Sequence, residues 1–275
     1  MVVDTIRGIM GGLSFRRVGA AGVFLTPQAE RDPQRPLLLF VHGAFHGAWC
    51  FAFYLDYLER QGIAAGAVEL RGHGALAGEG LAPTVGMRDM AADVVEICRA
   101  FERPIVIAGH SLGAGVAGLA AGLYETRGTV LLAPTPPNGV GEHRRLPAFP
   151  ANALVSPPDA VQGARRFFIN HQPEEVAGLC GLLNAESPTW LNDRRLREVP
   201  VDRASISGPA LCIAAGKDDL DLHPHGLDYA TARFFDAEYH FLRRSGHCFM
   251  LEDDWQKSAD IVLAWYRRAF CRAPA

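Results

Sequence analysis

The chain has 275 residues, of which 49% are hydrophobic and 21% charged, and its formal net charge at pH 7 is −3. This composition is typical of a folded globular protein, and a nearly neutral chain has no general attraction for nucleic acid or anionic membranes. No apolar run approaches the roughly 20 residues that span a bilayer. We therefore expect neither a nucleic-acid partner nor a membrane span.

Two further features bear on the compartment. Asp4 and Arg7 lie where a secretion signal needs an apolar segment, so we expect no such signal. The six cysteines are scattered and form no CxxC pair, which favours free thiols in a reducing environment. We expect a cytoplasmic protein that is a monomer or a homodimer.

Strand-like and helix-like segments alternate along the first half of the chain. The apolar run 36–42 predicts a buried strand, 48–62 has helical character, and 63–70 predicts the next strand. Between 87 and 102 apolar residues recur every three or four positions, which predicts an amphipathic helix. A further strand, helix and strand are predicted over 103–109, 112–124 and 128–134.

The pattern changes over 134–208, which is rich in proline, has helical character and lacks an obvious strand. Strands are predicted again over 209–216 and 237–242, and a final helix from about Asp254. Such alternation predicts a mainly parallel central sheet with helices on both faces. We expect one α/β domain over 1–275, with 134–208 inserted as a helical lid above the carboxyl edge of the sheet, where ligands bind in open α/β folds.

A glycine-rich turn allows two interpretations. Gly113, Gly115 and Gly118 spell GxGxxG, which is a dinucleotide fingerprint, whereas Gly109, Ser111 and Gly113 spell GxSxG, which is a serine nucleophile elbow. The first pattern begins inside the predicted helix, and no acidic residue follows the next strand, so the cofactor interpretation fails. We predict that Ser111 is a nucleophile and that the glycines allow close packing.

Partners for this serine follow later strands. Carboxylates come directly after the predicted strand 209–216, and His247 lies on a loop after the last strand, so both fall at the same edge of the sheet as the elbow. An oxyanion hole needs the N–H of the residue after the serine, Leu112, and one from the loop after the first long strand. The N–H of Ala44 is our candidate for the second donor.

These motifs together resemble the α/β-hydrolase superfamily. The resemblance rests on "FVHGAFHGAW", "ELRGHG", "GHSLGA", "AGKDD" and "SGHCFMLED", and it implies the α/β-hydrolase fold with a Ser–His–acid triad. The family's GxxD spacing, counted from Gly216, selects Asp219 as the acid, with Asp218 and Asp221 as competitors.

The loop "VHGAFHGAWCF" is most similar to the plant methylesterase and hydroxynitrile lyase group. In those lyases a lysine follows the catalytic histidine, but Cys248 fills that position here, which disfavours cyanohydrin chemistry.

The predicted activity is hydrolysis of a small or medium apolar carboxylic ester, thioester or lactone through an acyl-enzyme. His247 takes the proton of Ser111 during attack, Asp219 orients the imidazole, and Ala44 and Leu112 bind the oxyanion. Cleavage of a C–C or amide bond by the same triad is an alternative. A ligand receptor with little turnover is another. Candidate pocket residues are Phe45, His46, Trp49, Phe167, Phe168 and Trp190.

The stretch "DLDLHPH" contains side chains of the types that bind metal ions. Asp221, His223 and His225 offer ligand atoms there, but no HExxH or similar helix-spaced pair accompanies them. We therefore interpret this stretch as a solvated loop and expect neither a metal nor a cofactor.

Overall fold

The computed structural model describes residues 2–141, 145–220, 223–224 and 226–271. The strands in these ranges form one eight-stranded sheet in the order β1-β2-β4-β3-β5-β6-β7-β8. Their bounds are β1 Ser14–Val18, β2 Ala21–Leu25, β3 Leu37–Val41, β4 Ala65–Glu69, β5 Ile105–His110, β6 Gly128–Leu132, β7 Ala210–Ala215 and β8 Ala237–Leu242. β1 and β2, and β2 and β4, pair antiparallel, and the other pairs are parallel.

Burial separates the middle of the sheet from its edges. Every residue of β3, β4, β5, β6 and β7 is buried, as expected for parallel strands covered on both faces. The edge strands β1 and β8 are partly exposed, and Arg16 and Arg17 in β1 protect that edge from pairing with another chain. This arrangement agrees with the mainly parallel central sheet that the sequence predicts.

Helices cover the sheet in groups that contact one another. α3 packs on α1 and α10, and α4 packs on α5. No helix in the described ranges combines the length and apolarity needed to cross a bilayer. Their bounds are α1 Val2–Gly11, α2 Pro27–Arg31, α3 Ala52–Arg60, α4 Met87–Ala100, α5 Leu112–Leu123, α6 Ala160–Arg166, α7 Pro173–Cys180, α8 Pro188–Arg195, α9 Leu227–Phe235 and α10 Gln256–Phe270.

The segment between β6 and β7 carries α6, α7 and α8. Its described residues hold no sheet strand, only an isolated antiparallel bridge between Val155 and Glu186. Helix α7 contacts α1, where a Cβ on Gly178 would lie 3.0 Å from Cγ2 of Val3. The N-terminal helix α1 therefore packs directly against this segment.

The first 35 residues contain structure that the sequence analysis did not predict. α1 buries Val3 and Ile6, and β1 and β2 form a hairpin that extends the sheet. Five-residue strands with a mostly exposed burial pattern, as in β1, give little alternation of apolar and polar residues. That is why hydrophobic periodicity did not detect β1.

Candidate active site

Ser111 lies at a strained turn between β5 and α5. Its φ of 55° and ψ of −123° are rarely adopted by a residue with a side chain. A Cβ on Gly109 would lie 2.3 Å from the carbonyl oxygen of Gly113, and a Cβ on Gly113 would lie 2.3 Å from that of His42. Both glycines are needed because backbone atoms occupy the space of a side chain. The turn thus has the geometry of a nucleophile elbow.

The remaining glycines of the GxGxxG pattern face packed side chains. A Cβ on Gly115 would lie 2.7 Å from Sδ of Met87, and one on Gly118 would lie 3.2 Å from the ring of Phe235. These contacts are with α4 and α9, so small residues let α5 approach its neighbouring helices.

His247 is hydrogen-bonded to Asp218, so the expectation that Asp219 orients the imidazole is wrong. Nδ1 of His247 lies 2.8 Å from Oδ2 of Asp218, and both side chains are 3% exposed. Asp219 points elsewhere, with its Oδ2 3.7 Å from Nε of Arg166. Its own N–H donates to Oδ1 of Asp218 at 2.7 Å. Asp221, the other competitor, lies outside the described residues.

The carboxyl of Asp218 is ionised in this arrangement. Burial alone would raise its pKa, but the neighbouring rings of His223 and His247 and the N–H of Asp219 lower that pKa to about 2. A carboxylate at Nδ1 fixes the imidazole in the tautomer whose Nε2 is free to accept a proton.

His223 is buried against His247, which corrects the expectation of a solvated loop at this residue. Its ring centre lies 4.7 Å from that of His247, and burial lowers its pKa to about 3. Ligand atoms of Asp218, His223 and His247 lie within 4.8 Å of one another. A metal ion at that point would compete with the hydrogen bond between His247 and Asp218. Asp221 and His225 lie outside the described residues.

The two N–H groups that the sequence analysis selected for an oxyanion hole lie at one cavity. Neither the N–H of Ala44 nor that of Leu112 has an acceptor in the described part of the chain, and both residues line a cavity together with Ser111 and His247. A Cβ on Gly43 would lie 2.8 Å from Cβ of Ser111, so the loop carrying Ala44 is pressed against the serine.

Glu186, which the sequence analysis did not select, holds this loop from the inserted segment. Its buried Oε2 accepts the N–H of Phe45 at 3.0 Å and lies 3.0 Å from Nε2 of His73. Burial alone would lower the pKa of His73, but the carboxylate of Glu186 raises it. The N–H of Asn184 donates to the carbonyl of Phe45 at 2.8 Å.

The cavity holds about 630 Å³ of empty space, part of it open to solvent. Of the predicted pocket residues, only Phe45 and Phe167 line it. The others are packed in the interior: Phe168 and Trp190 are fully buried, and His46 stacks on Trp49. Lining residues that the sequence analysis did not select are Phe149, Arg166, Leu191, Arg194 and Arg195.

The site can be compared with known proteins. A model of the alpha/beta hydrolase family matches residues 38–261. No curated protein matches the chain in sequence.

Solved structures match nearly the whole chain at low identity. Polyneuridine aldehyde esterase is 19% identical with a TM-score of 0.66, covering 84% of this chain and 99% of that one. A thermophilic esterase from Thermogutta terrifontis is 18% identical with a TM-score of 0.66, covering 94% and 99%. A methylesterase from Arabidopsis is 18% identical with a TM-score of 0.65, covering 84% and 98%. At such identities the likeness establishes the fold.

Proposed function

The chain belongs to the alpha/beta hydrolase family, and we propose that it is a serine hydrolase that cleaves a carboxylic ester, thioester or lactone through an acyl-enzyme. The observation that carries the proposal is the hydrogen bond of 2.8 Å between His247 and Asp218. This pair lines one cavity with the strained Ser111 and with Ala44 and Leu112, whose backbone N–H groups have no acceptor among the described residues.

Each group has a defined role in the proposed reaction. A serine hydroxyl is a weak nucleophile at neutral pH, so Nε2 of His247 takes the proton of Ser111 as Oγ attacks the carbonyl. Asp218 stabilises the imidazolium that forms. The N–H groups of Ala44 and Leu112 bind the oxyanion, and losing one such donor typically costs about 2.7–4 kcal/mol of barrier.

The second half of the cycle releases the enzyme. The protonated His247 gives its proton to the leaving alcohol or thiol, and a water molecule then attacks the acyl-enzyme with His247 as its base. The segment 134–208 supplies Phe149, Phe167 and Leu191 to the cavity wall, so it acts as a lid over the acyl group. Apolar walls bind the acyl chain and exclude water from the reacting carbonyl.

A fluorophosphonate probe tests the nucleophile. We expect the folded protein to be labelled at Ser111 and to hydrolyse para-nitrophenyl esters. Ser111→Ala loses both properties, whereas Ser205→Ala, which changes an exposed serine, keeps both. Labelling or hydrolysis that survives in Ser111→Ala contradicts the proposal. A folded chain that is neither labelled nor active on ester, thioester and lactone panels is better explained as a receptor.

A further inference from the structure

Three arginines line the cavity that contains Ser111, and all of them come from the inserted segment. Arg166 is the last residue of α6, and Arg194 and Arg195 end α8. A positive charge is favoured at a helix C-terminus, but that effect does not require the side chains to face a common cavity. The presence of all three arginines in one cavity with Ser111 needs a separate reason.

Contacts with a backbone carbonyl and an aromatic ring hold the side chain of Arg195, and no described carboxylate forms an ion pair with it. Its Nε donates to the carbonyl of Pro147 at 2.5 Å, and its guanidinium carbon lies 4.5 Å from the ring centre of Phe149. Neither terminal nitrogen of Arg195 has an acceptor within the described ranges, and no described carboxylate forms an ion pair with it. Burial and the nearby charge of Arg166 both lower the pKa of Arg195, so an anion beside it is stabilised.

The other charges around the cavity are balanced more closely. Nε of Arg166 lies 3.7 Å from Oδ2 of Asp219. Arg194 is 7% exposed, and although burial lowers its pKa, the carboxylates of Asp218 and Asp219 oppose that change. Among the described residues, the cavity wall therefore carries three guanidinium groups against two carboxylates. Within this described set, the positive charge left unmatched is that of Arg195.

We propose that the substrate carries a carboxylate, which binds at Arg195 and Arg166 while its ester carbonyl lies at Ser111. The inference rests on the proposed hydrolase activity and narrows its substrate class to monoesters of short dicarboxylic acids. Guanidinium groups recognise carboxylates through paired, charge-assisted hydrogen bonds, and the two terminal nitrogens of Arg195 are available for them. The aromatic and aliphatic walls contact the methylene groups between the two ends.

A matched pair of esters tests this proposal. One is the para-nitrophenyl monoester of glutaric acid, and the other replaces its free carboxylate with a neutral isopropyl group of similar shape. We expect kcat/KM to favour the anionic ester by about ten- to a hundredfold, the range typical of a charge-assisted contact. Because the preference is electrostatic, it falls as NaCl is raised from about 20 mM to about 500 mM.

Variants then assign the preference to a residue. Arg195→Gln brings the ratio of the two kcat/KM values close to one, and Arg195→Lys, which keeps a point charge, gives an intermediate ratio. Arg60→Gln removes a charge from the exposed side of α3 and leaves both the ratio and the rates unchanged. A ratio near one in the unmodified protein overturns the proposal, as does a ratio that Arg195→Gln does not alter.

Binding separates this proposal from the hydrolase proposal. If neither ester is hydrolysed, or if hydrolysis survives in Ser111→Ala, the proposed activity fails and calorimetry with glutarate decides the anion site alone. We expect glutarate to bind Ser111→Ala, and to bind at least tenfold more weakly when Arg195→Gln is added. Glutarate that does not bind at millimolar concentration overturns the anion site whatever the activity. Arg195→Lys and the salt series supply the answer if Arg195→Gln does not fold.

Discussion

The backbone N–H of Phe45 donates to Oε2 of Glu186 at 3.0 Å, joining residues 141 positions apart. Phe45 has a φ of 66°, a left-handed conformation that costs a bulky residue on the order of 1–3 kcal/mol. Such a conformation persists only where its surroundings hold it. Since Ala44 precedes Phe45, this contact restrains the backbone beside an N–H group that we propose for the oxyanion hole, and Glu186 thereby links the segment between β6 and β7 to this loop.

Replacing Glu186 therefore impairs catalysis without touching a reacting group. We expect Glu186→Gln to lower kcat by about ten- to a hundredfold with a smaller change in KM, because displacing one oxyanion donor costs on the order of 2.7–4 kcal/mol at most. The buried ion pair with His73 is lost as well, so the free energy of unfolding decreases by about 1–3 kcal/mol. Steady-state kinetics and urea denaturation measure the two effects.

Glu174→Gln is the matched control for Glu186→Gln. Glu174 is exposed on α7, close in sequence to Glu186, and its replacement changes neither quantity. An unchanged kcat in a folded Glu186→Gln protein contradicts the positioning role.

The adjacent carboxylates after β7 provide a second matched pair. We expect Asp218→Asn to lower kcat by about a thousand- to ten-thousandfold, because an amide no longer fixes the tautomer of His247. Asp219→Asn changes kcat by less than about tenfold, since the side chain of Asp219 lies toward Arg166 and the carboxylate that accepts the hydrogen bond of Nδ1 of His247 is that of Asp218. Kinetics on one chromogenic ester measure both variants. The opposite ranking would restore Asp219 as the catalytic acid.

The difference between these two residues marks a limit of sequence analysis. The sequence "GKDDLD" has carboxylates at successive positions after a strand, and spacing alone identifies the loop but not the side chain that faces His247. That choice depends on the backbone path, which is held by the N–H of Lys217 donating to the carbonyl of Ser245 at 2.9 Å. A contact between residues 28 positions apart leaves no local pattern.

Other parts of the fold did leave local patterns. The buried apolar runs of β3 and β5 and the glycines around Ser111 carry signals of strand and elbow, and the predicted fold is confirmed. The cavity wall was not predictable in this way. Trp190 looks like a pocket aromatic in sequence but is fully buried, whereas Arg195 looks like an ordinary helix terminus but lines the cavity. Tertiary packing determines which face of a helix in the segment between β6 and β7 lines the cavity.

Asp228 makes stability depend on pH. Its Oδ1 is buried and has no hydrogen-bond partner among the described residues, and burial, with the charge of Asp218, raises its pKa from 3.8 to about 7. Between these two values the folded state binds more protons than the unfolded state. The contribution of Asp228 to stability is therefore lost as the pH rises from about 4 to about 7.

Asp228→Asn removes this dependence. We expect the free energy of unfolding of the variant minus that of the unmodified protein to be about 1–2 kcal/mol larger at about pH 8 than at about pH 5, so the variant is relatively more stable at the higher pH. Urea denaturation at both pH values measures the difference. Asp253→Asn changes an exposed carboxylate and shows no such trend. A difference that is equal at both pH values, or that has the opposite sign, rules out a raised pKa at Asp228.

Two glycines of α5 are expected to respond in opposite ways to the same substitution. A Cβ on Gly113 would lie 2.3 Å and 2.4 Å from the carbonyl oxygens of His42 and Val41, and backbone atoms cannot rotate away, so Gly113→Ala destabilises the protein by about 1–3 kcal/mol or more. A Cβ on Gly122 meets nothing closer than 3.9 Å, so Gly122→Ala stabilises the helix by about 0.5–1 kcal/mol. Thermal and urea unfolding compare the two variants.

Because Gly113 also fixes the turn that carries Ser111, its variant loses ester hydrolysis, while Gly122→Ala keeps it. A stable and active Gly113→Ala protein is incompatible with the close approach of α5 to β3.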